Sequence, residues 1–158
     1  MAARRAVKIA ATMRLFALLP SLLLAAAALA GEGAATPVGT WRVIGDRSGE
    51  AEALVRVSER DGQLEGRIIA VYPRPGVDPE ALCERCPGER RNQPVQGMSI
   101  LTGMRRDGDG YSGGEILDPD SGNLYRCTLT LSPDNSKLQV RGYIGIPLLG
   151  RTQTWLRQ

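Results

Sequence analysis

Three cysteines are the residues of this sequence with the most reactive side chains. Cys83 and Cys86 stand in a Cys-Glu-Arg-Cys segment, and the third is Cys127. The close pair is compatible with a local disulfide, a redox-active pair or half of a zinc site. A thioredoxin-like pair needs a βαβ context, which is not visible, and a zinc site needs four ligands. The sequence therefore favours a disulfide that shapes its loop, with a bridge from either loop cysteine to Cys127 as the alternative and Cys127 otherwise a small buried side chain.

A Gly-x-Ser-x-Gly pattern occurs at residues 110–114, but the chain contains no histidine. A nucleophilic serine of this type needs a strand, a sharp turn, a helix and a base, so the pattern does not predict a serine hydrolase and is better explained by turns and strand bends. The acid-rich segments 107–110 and 118–122 lack the glutamate spacing of a calcium loop and predict turns instead. We therefore expect a protein that is not an enzyme and needs no metal or cofactor, with an unspecified hydrolase or redox activity as the minor alternative.

The N-terminal segment has the three-part pattern of a secretory signal peptide. Four basic residues precede an apolar stretch at 15–29, and Ala28-Leu29-Ala30 supplies small residues for cleavage. The apolar stretch is shorter than the ~20 residues that a membrane span needs. We predict a signal peptide at 1–30, a flexible linker at 31–37 and a β-barrel domain at 38–158. The expected location is periplasmic or secreted, with no transmembrane segment after cleavage, and disulfides persist in such compartments.

The basic character of the chain belongs to this leader. The chain has 20 basic and 17 acidic residues; removal of Arg4, Arg5, Lys8 and Arg14 leaves 16 basic residues against the same 17 acidic ones. Net charge therefore gives no reason to expect a nucleic-acid partner.

Short β-rich segments separated by turn signals make up the remainder of the chain. Ala53, Val55 and Val57 alternate with Leu54, Arg56 and Ser58, as in a half-buried strand, and Asp61-Gly62 is typical of a tight hairpin. The pattern predicts eight strands, at 38–44, 53–58, 63–72, 96–106, 111–117, 125–131, 137–144 and 150–157. A proline-rich segment with two of the cysteines, 73–94, predicts one long loop, because proline lacks the donor that a central strand requires.

Local hairpin order without helical crossovers indicates an all-β fold with an antiparallel, up-and-down sheet. The last strand returns to the first, Gly39-Thr40-Trp41, which closes the sheet into a barrel. All 19 glycines follow the leader, and several lie inside strands, where they allow the bends that closure needs. A two-sheet sandwich is the alternative architecture.

Several motifs together resemble an exported bacterial family known as domain of unknown function 2147. They are Gly39-Thr40-Trp41, Cys83-x-x-Cys86, Pro94-x-x-Gly97, the segment 113–119 with Gly122 and Tyr125, and the closing segment 141–155. The resemblance covers nearly all of the chain after the leader. It implies a small periplasmic or secreted protein with a lipocalin-like barrel; the family is biochemically uncharacterised, so the resemblance assigns no particular activity.

This chain also resembles lipocalin-type barrels in the residues that seal one end of the barrel. Such barrels carry Gly-x-Trp on the first strand, with a basic side chain from the last strand over the indole. The resemblance assigns barrel closure to five residues: Gly39, Trp41, Arg151, Trp155 and Arg157. The basic side chain over Trp41 is Arg157 or, as the alternative, Arg151. A guanidinium over an indole contributes about 0.5–2 kcal/mol.

Two functional hypotheses of different classes remain. The first is a barrel that binds a small hydrophobic or amphipathic ligand; its candidate ligand-binding residues are Tyr72, Tyr125, Gln139, Arg141 and Tyr143. The second is a cell-envelope module that interacts with a protein partner. It predicts a barrel filled by side chains and an exposed apolar patch around 146–149, because a soluble monomer rarely exposes such a patch.

Overall fold

The computed structural model describes residues 35–158, so the predicted signal peptide lies outside the described residues, as does most of the predicted linker. Eight strands form a closed barrel in which each strand pairs antiparallel with the next and the last pairs with the first. The strands are β1 Gly39–Ile44, β2 Ala51–Arg60, β3 Gln63–Val71, β4 Ser99–Asp107, β5 Gly110–Asp118, β6 Asn123–Leu131, β7 Lys137–Tyr143 and β8 Arg151–Arg157. The predicted all-β, up-and-down barrel is confirmed, and the sandwich alternative is wrong.

The two ends of the barrel differ in the length of their connections. At one end, which we call the closed end, tight turns join β2 to β3, β4 to β5, and β6 to β7. Asp61 and Gly62 both have positive φ, 52° and 72°, as a two-residue hairpin of this type requires. The three long connections, 45–50, 72–98 and 144–150, lie at the other end, the open end, together with the four-residue turn 119–122. No helix in the described part of the chain is both long and apolar enough to cross a membrane.

Alternation along the strands builds the core. In β2, Val55 and Val57 are buried and Arg56 and Ser58 are exposed, as the period-two pattern predicts. The bulkiest buried residues include Trp41, Trp155, Leu64, Leu101, Met104, Leu129 and Leu138. Several of them belong to the closed half of the barrel, where they fill the interior.

Glycine allows a close approach of strands at one of the irregular positions. The β5–β6 register shifts between Tyr111 and Gly114. A Cβ atom at Gly114 would overlap the carbonyl oxygen of Thr102 on β4, so only glycine fits there. The close approach of β4 and β5 at this level therefore requires glycine.

The long connection between β3 and β4 begins at Tyr72 and ends at Met98, and it contains the disulfide Cys83–Cys86. The disulfide predicted from the Cys-x-x-Cys spacing is confirmed, and Cys127 is a free, buried thiol. β4 begins three residues later than predicted. Two backbone bonds, Gly97 N to Ile68 O and Ile68 N to Met98 O, continue the ladder here, but the positive φ of Gly97, 91°, interrupts the strand geometry.

Candidate functional site

A cavity of about 590 Å³ occupies the open half of the barrel. Its inner wall is aliphatic, with side chains from most of the strands: Val43, Ala53, Val55, Ile68, Val71, Ile100, Ile116, Leu117 and Val140. Trp155 also lines it. Because the closed half is filled and the long loops ring the open end, the cavity opens at one end. An apolar interior of this size can hold one small molecule.

Charged side chains lie around the cavity mouth, in contrast to its interior. Four carboxylates (Glu52, Asp78, Asp118, Asp120) and two guanidinium groups (Arg74, Arg151) contribute to the lining. Arg151 Nε donates to Asp46 Oδ2 at 2.6 Å, and Arg74 Nη1 lies 2.9 Å from Glu52 Oε1. Both cations are therefore paired, and the mouth is net acidic.

The Arg74 guanidinium is held without full hydrogen bonding. Its Nη1 atom is buried, and although Glu52 Oε1 is close, no N–H of this nitrogen points at an acceptor among the described residues. A buried donor without an acceptor costs free energy. The ion pair with Glu52 offsets this cost in part, so Arg74 is paired by charge but not by an aligned hydrogen bond.

Two of the five candidate ligand-binding residues line the cavity. Tyr125, on β6, and Tyr143, at the end of β7, both do so, while Tyr72, Gln139 and Arg141 do not. Gln139 is exposed because its neighbours Leu138 and Val140 face inward. The structure thus brings the two tyrosines together and leaves the other three outside.

Arg141 instead supports the β7–β8 loop. Its Nε and Nη2 atoms donate to the carbonyl oxygens of Pro147 and Leu148 at 2.6 and 3.0 Å, and Nη1 donates to Thr152 Oγ1 at 2.8 Å. Its role in the described structure is to hold a loop rather than to face the interior.

Four of the five residues assigned to barrel closure lie where β1 pairs with β8: Gly39, Trp41, Trp155 and Arg157. The Arg157 guanidinium carbon lies 4.3 Å from the centroid of the Trp41 ring, and Arg157 Nη1 packs where a side chain on Gly39 would be. Trp155 is buried and pairs with Val43. Arg151 lies at the open end, beside Asp46, since it begins the strand that Arg157 ends.

Sequence reasoning missed most of the residues that form the cavity. Gln153 lines it, and the alternation of β8 through the buried Trp155 would have identified it. The aliphatic wall has the same signal, since these residues are the inward positions of the strands. Arg74 lies in the irregular loop, where no periodicity indicates direction.

The disulfide loop packs on the turn between β5 and β6. Cys83 Sγ lies 3.2 Å from the Pro119 carbonyl oxygen, a contact and not a hydrogen bond because a disulfide sulfur has no hydrogen. Gly122, with φ of 74°, packs against the Arg85 backbone. Because Pro119 lines the cavity, the disulfide helps to fix one side of the mouth.

The reactive groups of the described chain lie outside this cavity. Burial raises the pKa of Cys127 to about 12, so its thiol stays protonated at neutral pH. No group of three or more potential ligands within residues 35–158 is arranged to hold a metal ion. The polar lining residues are tyrosines, carboxylates, two arginines and Gln153. The arrangement is suited to hold an apolar body with polar contacts at one end.

Comparisons with known proteins agree with this geometry. The model of a family described as "Uncharacterized protein conserved in bacteria (DUF2147)" matches residues 39–157. Among solved structures, the chain is similar to protein HP1028 from Helicobacter pylori, described as belonging to the lipocalin family. The TM-score is 0.64 at 19% identity, with 77% of this chain and 82% of that chain covered. This likeness concerns the fold. No curated protein matches the chain.

Proposed function

We propose that this chain, which belongs to the DUF2147 family of uncharacterised bacterial proteins, is a binding protein that holds one small hydrophobic or amphipathic molecule inside its barrel. The observation that carries the proposal is the aliphatic cavity of about 590 Å³. Ligand pockets commonly measure about 300–1,000 Å³ and combine an apolar wall with a few polar groups. A barrel of eight strands is just wide enough to contain such a molecule.

The polar rim favours an amphipathic ligand over a fully apolar one. The aliphatic residues lie deep, while Tyr125, Tyr143 and Gln153 join the charged residues in the lining. Arg74, paired with Glu52 without an aligned hydrogen bond, adds a positive group to this rim. An apolar body in the barrel and a polar end at the mouth would satisfy both regions.

A binding role without catalysis is part of the same proposal. The lining residues include no serine or cysteine, and the chain has no histidine, so the usual nucleophiles and proton shuttles are not at hand. Of the carboxylates at the mouth, Glu52 is paired with Arg74, Asp118 accepts a hydrogen bond from Ser121, and Asp78 and Asp120 are exposed, an arrangement that suits ligand orientation.

A periplasmic or secreted location is likewise proposed. The leader pattern at 1–30 supports it. The Cys83–Cys86 disulfide adds support because such bonds persist in oxidising compartments.

The alternative, an envelope module that binds a protein partner, also has an observation in its favour. Ile146, Leu148 and Leu149 are strongly exposed in the β7–β8 loop. That hypothesis also predicts a filled barrel, however, and the cavity favours the ligand-binding protein. The exposed loop needs an explanation of its own.

A matched pair of substitutions on β2 tests the proposal. Ala53→Phe would place a ring in the cavity, while Leu54→Phe adds the same ring at the next residue, which does not line it. The probe is N-phenyl-1-naphthylamine, a neutral apolar fluorophore. We expect saturable binding to the wild type, weakened at least about tenfold by Ala53→Phe and unchanged by Leu54→Phe. No binding to the wild type, or equal binding to both folded variants, would contradict the proposal.

A further inference from the structure

The mouth of the cavity carries more negative than positive side chains. Four carboxylates and two guanidinium groups contribute to the lining. Both guanidinium groups are already in ion pairs, one with Glu52 and one with Asp46. Among residues 35–158, no arginine or lysine forms an ion pair with the other three lining carboxylates, which are Asp78, Asp118 and Asp120. The mouth therefore has negative charge in excess, and its lining has no unpaired cation.

The three carboxylates without a cationic partner lie on two segments that contact each other. Asp118 ends β5 and Asp120 lies in the turn that follows, while Asp78 belongs to the connection between β3 and β4. Within that connection, Cys83 Sγ lies 3.2 Å from the carbonyl oxygen of Pro119, the residue between the first two aspartates. The disulfide loop thereby holds the two acidic segments on the same rim of the barrel.

Two aromatic rings in the same cavity also favour a cation. Tyr125 and Tyr143 both line it, and no arginine or lysine in the part of the chain that the structure describes lies over either ring. The face of a tyrosine ring attracts a cation, and binding sites for ammonium groups commonly use such rings. The carboxylates and the aromatic rings are independent features of the lining, and both favour positive charge.

We propose that the molecule held in the barrel is an amphipathic cation, with its apolar body against the aliphatic wall and an ammonium group at the mouth. This inference rests on the proposed function, because it names the chemical class of that ligand. An anionic amphiphile would place its charge beside unpaired carboxylates and would find no unpaired guanidinium group in the lining. Apolar walls strengthen the discrimination, because they focus the field of the carboxylates and reduce its screening by water.

Three amphiphiles with the same alkyl chain test this charge preference: decylamine, decanol and decanoate. Isothermal titration calorimetry measures their binding to the protein produced from its full sequence, at concentrations below those at which the amphiphiles aggregate. We expect decylamine to bind at least about tenfold more tightly than decanol, and decanoate to bind more weakly than decanol. Added salt should reduce the preference for decylamine, because salt screens charges at a partly exposed mouth.

A double substitution at the mouth identifies the source of the preference. Asp78→Asn with Asp120→Asn removes two negative charges and keeps the oxygen of residue 78 that accepts from Glu80 N. The matched control, Asp61→Asn with Asp109→Asn, removes the same charge from two exposed turns at the closed end, outside the cavity lining. The ratio of the decylamine and decanol affinities should fall at least about fivefold in the mouth variant and stay unchanged in the control.

The outcomes separate this inference from the proposed function. Equal binding of the three amphiphiles, tighter binding of decanoate than of decylamine, or binding of N-phenyl-1-naphthylamine without binding of decylamine would overturn the inference and leave the ligand-binding function intact. An equal affinity ratio in the mouth variant and the control would also overturn it. Decylamine binding that Ala53→Phe does not weaken would mean adsorption outside the cavity and would overturn it too. No binding of the amphiphiles or of N-phenyl-1-naphthylamine would refute the proposed function, and this inference with it.

Discussion

Arg157 is predicted to be the main polar side chain that seals the closed end. Its guanidinium lies over Trp41 and donates to three carbonyl oxygens: to Asn135 from Nε at 2.7 Å, to Val38 from Nη1 at 3.1 Å and to Thr36 from Nη2 at 3.0 Å. One side chain thereby joins the last strand, the segment before β1 and the turn between β6 and β7.

The cost of removing Arg157 follows from these contacts. The cation–π contact contributes about 1 kcal/mol, and each partly exposed bond from a charged donor contributes about 0.5–1 kcal/mol. Arg157→Ala should therefore lower the free energy of unfolding by about 3 kcal/mol. Arg157→Lys keeps the charge but loses the planar fork of donors, so about half of that loss should remain.

Urea unfolding followed by tryptophan fluorescence measures both variants. Gln158→Ala is the matched control, because Gln158 accepts exposed bonds from Arg42 at the same end, and its loss should cost no more than about 0.5 kcal/mol. Equal costs for Arg157→Ala and Gln158→Ala would refute the sealing role. An unchanged stability of Arg157→Lys would refute the importance of the fork geometry.

Three further predictions concern ionisation and the rim. Burial raises the pKa of Cys127 to about 12, above its unfolded value of ~8.5, so the thiol contributes stability below pH ~8.5 that is lost as the pH rises toward 12. In urea titrations Cys127→Ala should therefore lose less stability at alkaline pH than the wild type, and an identical loss would contradict the assignment. Hydrogen bonds from Ser132, and then from Ser136, lower the pKa of Asp134 to about 2, so its contribution to stability is present above pH ~4 and is lost as the pH falls to 2. Urea titrations should show a smaller loss of stability in acid for Asp134→Asn than for the wild type, and an equal loss would argue against these bonds. Gly62 and Gly122 share a positive φ, 72° and 74°, but only a Cβ at Gly122 would overlap the Arg85 backbone. Calorimetry should show that Gly62→Ala lowers the free energy of unfolding by about 1 kcal/mol and Gly122→Ala by about 2 kcal/mol more. Equal losses would show that the disulfide loop does not pack on this turn.

The strands and their closure could be predicted because their signals are local. Alternation in β2 and the Asp61-Gly62 hairpin determine direction and pairing without reference to distant residues. The Gly39-Thr40-Trp41 segment and the closing strand indicated which strands meet. The ends of the strands were predicted less accurately. Gly97 donates one backbone bond to β3 but has a positive φ, so β4 begins only after it. The alternation of side chains does not reveal such a backbone conformation.

The hollow interior could not be predicted from the number of strands. Eight strands allow either a filled core or a small cavity, and the outcome depends on the size of inward side chains at each level. The closed half holds Trp41 and Met104, whereas the open half holds smaller residues such as Ala53 and Val43. Assigning residues to these levels requires the register between strands, which the sequence does not give.

Two candidate residues show how register and strand length decide position. Arg151 and Arg157 are separated by six residues, which in a strand corresponds to about 20 Å, so only one of them can reach Trp41. Gln139 faces out because it alternates with Leu138 and Val140. Gly142 and Tyr143 both line the cavity, although successive residues of a strand face opposite sides. Alternation ends at this point because β7 passes into the loop.

Native mass spectrometry of the protein, produced from its full sequence and purified without detergent, tests the ligand-binding account most directly. We expect an adduct of roughly a few hundred daltons, the mass of a molecule that fits a cavity of this class, lost on denaturation and absent from Ala53→Phe but present in Leu54→Phe. A bare protein mass, together with no binding of N-phenyl-1-naphthylamine by the wild type, would contradict the account.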